Sequence, residues 1–184
     1  MLRNWKFWLL ALWAIASRLY DILCTYEFTP DLTKEVNPLA SVLGLSWLPI
    51  LLVIGSLLFY SIYAAWDYRR QPTMLYPTSP GFSFIEFMTF VYLGKKDHWW
   101  ALFIKFPTNL KRLHVFIGSQ FLEYISWAGV ISTAMWIGLK YIPAYRPLHN
   151  VIAIYSIIIA GCAAWYIYWF RQHYLHYKAS QQNP

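Results

Sequence analysis

Four stretches of this chain, residues 5–26, 46–66, 113–141 and 148–170, run for about the length of a bilayer crossing with very little charge. At 1.5 Å of rise per residue, about 20 helical residues cover the roughly 30 Å hydrocarbon core. Few folds are open to runs of that kind. In lipid, backbone polar groups must be satisfied within the segment, so each run is expected to be a helix. Composition points the same way. Of 184 residues, 59% are hydrophobic, 21% aromatic and only 12% charged, against about a quarter charged in soluble domains. Eleven Trp and fifteen Tyr suit rings that gather at the membrane–water boundary. The expected fold class is therefore all-α: an integral membrane bundle of four transmembrane helices, one domain over 1–184, with short interfacial helices in the loop 67–112. In that loop Ser83-x-x-Glu86 reads as a capping box opening a helix over 84–93 that Gly94 stops, and Asp97 as the cap of a second over 98–106 ended by Pro107. Residues 160–164 form a small-residue patch, and the tail after Arg171 is expected to fray.

The net charge is +7. Basic residues flank the apolar runs rather than lining one polar face, so we read them as topogenic and headgroup-facing, with no nucleic-acid partner. With the N-terminus inside, eleven Lys and Arg fall on that side. Only Lys34, Lys140 and Arg146 fall opposite, and Arg18 sits within a span. This bias predicts a multi-pass protein of the plasma (inner) membrane with both termini cytoplasmic and an acidic first loop outside. Arg3, Lys6 and Ala14-Ile15-Ala16 imitate a signal peptide, but the apolar run continues through Leu23, so a signal anchor is expected.

Span one carries the chemistry. Ala11, Ala14, Arg18, Asp21 and Thr25 recur every three or four residues and so share a face that lipid would not solvate. An ionisable pair within a span marks a candidate functional site. Arg18 and Asp21 can pair directly, and Glu123, on the Ser119/Ser126/Thr133 face of span three, is expected within reach. This set reads either as an ion, proton or polar-group site, or as a structural ion pair fixing helix register. In the outer loop, Glu27, Asp31, Glu35 and Asn37, with Asp21 and Thr25, offer hard oxygen ligands. Their spacing departs from that of an EF-hand, and a solvated acidic loop explains them equally.

Other chemistry-bearing residues are sparse. His173-x-x-His176 could present two imidazoles on one face, whereas His98, His114 and His149 are scattered. Cys24 and Cys162 fall at different expected depths, which argues against a disulfide. There is no serine elbow, HExxH, phosphate loop or CxxC. No cofactor and no metal are expected.

Asp21-x-x-x-Thr25 followed by Glu35-x-Asn37-Pro38-Leu39-Ala40 resembles small multi-pass prokaryotic membrane proteins of uncharacterised function. The likeness spans about twenty residues (21 to 40), with Thr29-Pro30-Asp31-Leu32 lengthening the interval. It implies that these positions act together. The function expected from sequence is an accessory or assembly subunit, a scaffold working by helix packing. Its partners would be membrane lipids and other membrane protein subunits or itself. Two alternatives stand beside it: an oligomeric channel or transporter using Arg18, Asp21 and Glu123, and an intramembrane enzyme on a lipid or isoprenoid substrate.

Overall fold

In a computed structural model of the chain, residues 3–33 and 37–182 are described. All regular elements among them are helical: α1 (Arg3–Phe28), α2 (Pro38–Ser41), α3 (Trp47–Arg70), α4 (Phe84–Leu93), α5 (Ala101–Ile104), α6 (Leu110–Gly118), α7 (Phe121–Tyr141) and α8 (Val151–Gln182). Short 3-10 turns lie at Pro72–Leu75 and Pro143–Leu148. By length and composition, α1, α3 and α8 are each able to cross a membrane. The most apolar stretch of α8 has none of its residues buried within the protein, as a helix solvated by lipid would.

The chain divides into two compact units. The first comprises Met1–Ile62 and Leu122–Cys162. In it, α1 buries Phe7, Ala11, Ala14, Ser17 and Cys24, and Ser17 meets Gly129 of α7. The facing side of α7 is also small. A Cβ built on Gly129 would overlap the Ser17 Oγ and lie 2.8 Å from its Cβ, so the Ser17 side chain packs on the Gly129 backbone with no room for another. Contacts climb both helices in the same direction. The Trp13 indole donates to the Ser126 carbonyl (3.0 Å), Arg18 donates to Ser132, Trp136 donates to Asp21, and Lys140 Nζ donates to Glu27 Oε2 (2.6 Å). The near-constant offset makes α1 and α7 parallel. Farther round α7, the Trp127 indole fills the space that a side chain at Gly161 of α8 would need, which uses the small patch at 160–164.

The second unit comprises Tyr63–Phe121 and Ala163–Pro184. Its core joins Leu75, Phe82, Phe87, Val91 and Val115 to Trp169, Phe170 and Tyr177 of α8. Ser83-x-x-Glu86 forms the expected capping box. Ser83 N–H donates to Glu86 Oε2 (2.8 Å) and Glu86 N–H to Ser83 Oγ (3.3 Å). Gly94, at φ +82°, ends α4 in the left-handed region, which L side chains adopt only with strain. The Arg112 guanidinium, buried among these elements, has no carboxylate partner among the described residues. It donates instead to the backbone carbonyls of Val91, Met74, Leu75 and Phe90 at 2.6–3.2 Å and lies over the Phe90 ring. Burial lowers its pKa to about 10, which still leaves it charged at neutral pH.

Three expectations about helix extent are corrected. The run 113–141 is broken after Gly118, where Ser119 Oγ donates to the Phe116 carbonyl. There the backbone also tightens, with Gln120 N–H donating to the Ile117 carbonyl. Gly118 itself packs against the Ala64 carbonyl, where any Cβ would overlap. The helix expected at 98–106 contracts to α5, because Asp97 Oδ1 accepts from the His98 amide alone and the chain turns at Pro107. The tail after Arg171, expected to fray, stays helical through Gln182. Tyr174 and Tyr177 hold it by donating to the carbonyls of Phe82 (3.0 Å) and Ser79 (2.8 Å).

Candidate functional site

The first unit encloses a cavity of about 300 Å³ whose wall draws on α1, α3, α7, α8 and the loop after α1. Isoleucines 22, 50, 54, 154 and 158, with Met135 and Leu139, make most of it apolar. Polar side chains on it are Arg18, Asp21, Thr25, Thr29, Asn37, Ser132 and His149, joined by the polar ends of Trp47, Trp136 and Tyr155. Four of the residues expected to act together from the sequence thus line one space, since α1 places Arg18, Asp21 and Thr25 on successive turns and Asn37 opens α2 nearby.

The Arg18 guanidinium is divided among different tasks. Nη1 donates to Asp21 Oδ2 (3.2 Å) and Nη2 to Ser132 Oγ (2.7 Å). The other carboxylate oxygen of Asp21 accepts from Trp136 Nε1 at 2.7 Å. Arg18 Nε is buried and has no partner among the described residues, and His149 Nδ1 is likewise buried and unpartnered among them. A buried polar atom without a partner costs about 1–3 kcal/mol. Arg18 and His149, the residues that carry these two atoms, both line the cavity.

Glu123 does not join this group. It lies nine residues before Ser132 on α7, roughly 13 Å down the helix and beyond any arginine at position 18. Its carboxylate makes no ion pair and no hydrogen bond to another described residue. Nor does the outer acidic set converge. Glu27 is bound to Lys140. Asp31 Oδ1 accepts from the amide and hydroxyl of Thr33 (3.2 and 2.9 Å) and from Thr29 Oγ1 (3.3 Å), and the Thr33 bonds chiefly hold its carboxyl below the ordinary range. Asn37 Oδ1 accepts from the Leu39 amide, starting α2. Glu35, with Lys34, lies outside the described residues. Among the described residues, no three His, Cys, Asp or Glu side chains gather at metal-binding range. His173 and His176 part ways: His173 bonds the Tyr76 hydroxyl through Nδ1 and stacks on Trp169, while His176 is exposed.

Sequence reasoning missed Ser132, Trp136 and His149. The signal for the first two was present in Ser126-x-x-Gly129-x-x-Ser132-x-x-x-Trp136, a second helical stripe one position round from the one centred on Glu123 and Thr133. His149 sits in a loop and carried no such signal. No family model, curated protein or solved structure matches this chain.

Proposed function

We propose that this is a four-span protein of the inner membrane, with both termini cytoplasmic, that holds a small amphipathic molecule in the cavity between its helices. Support for the topology comes from the parallel pairing of α1 and α7. Parallel crossing helices require an odd number of crossings between them, and among the described residues of that interval α3 alone is long and apolar enough. The 21 residues of α7 rise about 31 Å, enough to cross. Helix α8 then returns the chain to the side of its N-terminus, in accord with the eleven-to-three distribution of Lys and Arg.

The observation that carries the ligand reading is that Arg18 and His149, each with a buried nitrogen lacking a partner among the described residues, line one largely apolar cavity. An apolar pocket with a few placed polar groups is the usual form of a small-molecule site. Because Asp21 already offsets the Arg18 charge, the fitting polar end is an oxygen acceptor, a carboxylate, ester or hydroxyl, with a hydrocarbon body beside the isoleucines. The volume corresponds to about ten waters at roughly 30 Å³ each, which suits a medium-chain amphiphile or the polar end of a longer lipid. The test is native mass spectrometry of the purified protein with decanoate and decanol. The wild type should carry an adduct that both Arg18→Met and His149→Phe lose. Equal adducts in all three proteins would refute the reading.

A second reading, assembly through helix packing, is favoured by the exposure of Ala160, Ala163 and Ala164 on α8, a small face where another helix can approach closely. Widening it with Ala164→Leu should dissociate an oligomer. A monomeric wild type would remove the idea.

A further inference from the structure

The second unit carries an apolar surface, in the loop expected to hold interfacial helices, that the ligand reading does not use. Between Asp97 and Lys111 the chain is pinned inward by Ala101 (2% exposed) and buried Pro107. Trp99, Trp100, Phe103, Ile104, Phe106 and Leu110 point outward at 45–77% exposure. The two indoles stack at 3.7 Å and Phe103 meets Trp99 edge-on, so the outward rings form one cluster. Lysines flank it. Lys105 is neutralised by Asp97 at 2.6 Å and Lys96 by Glu86 at 3.5 Å. Lys95 and Lys111, by contrast, make no ion pair among the described residues.

We infer that this segment docks on the anionic surface of the bilayer, inserting its aromatic cluster among the headgroups while Lys95 and Lys111 meet lipid phosphates. The character of the patch decides between membrane and protein as the occupant. Protein interfaces are depleted in lysine, whereas Trp and Lys together mark the membrane boundary. The segment also lies on the chain between α3 and α7, so a bilayer holding those helices is presented to it at high effective concentration. The inference rests on the membrane placement of these helices and stands apart from the ligand reading.

The test uses the full chain with Cys24→Ala and Cys162→Ala, reconstituted in nanodiscs of phosphatidylcholine alone or mixed with phosphatidylglycerol. Nitroxides are placed at Phe103→Cys, at Phe106→Cys and, as an exposed site in the same unit, at Thr78→Cys. Labels at 103 and 106 should be reached by oxygen and shielded from a water-soluble nickel chelate, and the label at 78 should show the reverse. With phosphatidylglycerol present, Lys95→Gln with Lys111→Gln should lower the ratio of docked to free spectral component roughly thirty-fold, from about 1 kcal/mol for each charge near such a surface. In phosphatidylcholine alone the ratio should not respond. Nickel access at 103 and 106 would overturn the inference. Shielding from both reagents, the signature of a covering protein, would overturn it as well. Because the ligand test reads a mass adduct, either idea can fail without the other.

Discussion

Replacing Gly129 with alanine tests the α1–α7 seam directly. The new methyl would sit 2.8 Å from the Ser17 Cβ, where carbon atoms pack best at about 3.5–4.0 Å. Relief therefore requires the helices to part by roughly an ångström. Overpacking of this kind destabilises by about 1–3 kcal/mol. The same movement stretches the Arg18–Ser132 and Trp13–Ser126 hydrogen bonds, now 2.7 and 3.0 Å, beyond useful range. Interhelical hydrogen bonds in membranes average ~0.6 kcal/mol each, so the whole loss should reach roughly 2–4 kcal/mol. Ser17→Gly alone should cost about 0.5–1 kcal/mol through helix propensity. Combined with Gly129→Ala, however, it makes room for the methyl, whose next neighbour is Trp13 Nε1 at an ordinary 3.5 Å. The double variant should then be more stable than Gly129→Ala alone, with a coupling of about 1–3 kcal/mol in a double-mutant cycle. Reversible unfolding in mixed micelles, followed by far-ultraviolet circular dichroism, measures all four proteins. Additive losses, or a Gly129→Ala variant as stable as the wild type, would refute the parallel close-packed pairing.

Three further outcomes follow from the second unit. Arg112→Met removes the buried cation that its four carbonyl partners surround and should destabilise the unit by about 3–5 kcal/mol, seen as early loss of amide protection in residues 74–91; Arg112→Lys, a point donor in place of a fork, should recover only part. Gly94→Ala meets nothing closer than the Arg112 Cδ at 3.5 Å, so its expected loss of about 1 kcal/mol comes from the positive φ, and Gly94→Asn should lose less in the same denaturation assay. The Ser83 amide, chiefly, holds the Glu86 carboxyl below its ordinary value. The contribution of the capping box should accordingly be complete above the unfolded glutamate value of about 4.3 and disappear as pH falls through the lower folded one. Hydrogen exchange at the start of α4 should show this loss, and Glu86→Gln should abolish the pH dependence.

Helix type and the polar face of α1 were legible because each is a local repeat. The three long apolar helices α1, α3 and α8 follow from twenty-residue apolar runs, and α4 coincides with its expected bounds because a capping box and a glycine stop are short-range signals. Long-range partners were not legible in the same way. Arg112 reads in the sequence as one more cytoplasmic charge, and only the return of Met74, Leu75, Phe90 and Val91 to its side makes it the centre of a unit. Arg18 was expected within reach of Glu123 because counting residues from one membrane face put the two at depths that a long guanidinium could bridge. Helix register decided otherwise and gave it a serine and, through Asp21, a tryptophan. The persistence of α8 past Arg171 likewise depends on Tyr174 and Tyr177 finding carbonyls more than ninety residues away.

The seam between α1 and α7 also sets an order of events during biosynthesis. Arg18 and its acceptor Ser132 are 114 residues apart, and a ribosome adding about 5–20 residues per second needs roughly 6–23 s to supply the second after the first. Throughout that interval the nascent first helix must carry a guanidinium and a carboxylate with only each other for company. An insertase that shelters a half-polar segment until its mate emerges would meet that need, and cells lacking one should degrade this protein at an early, single-helix stage.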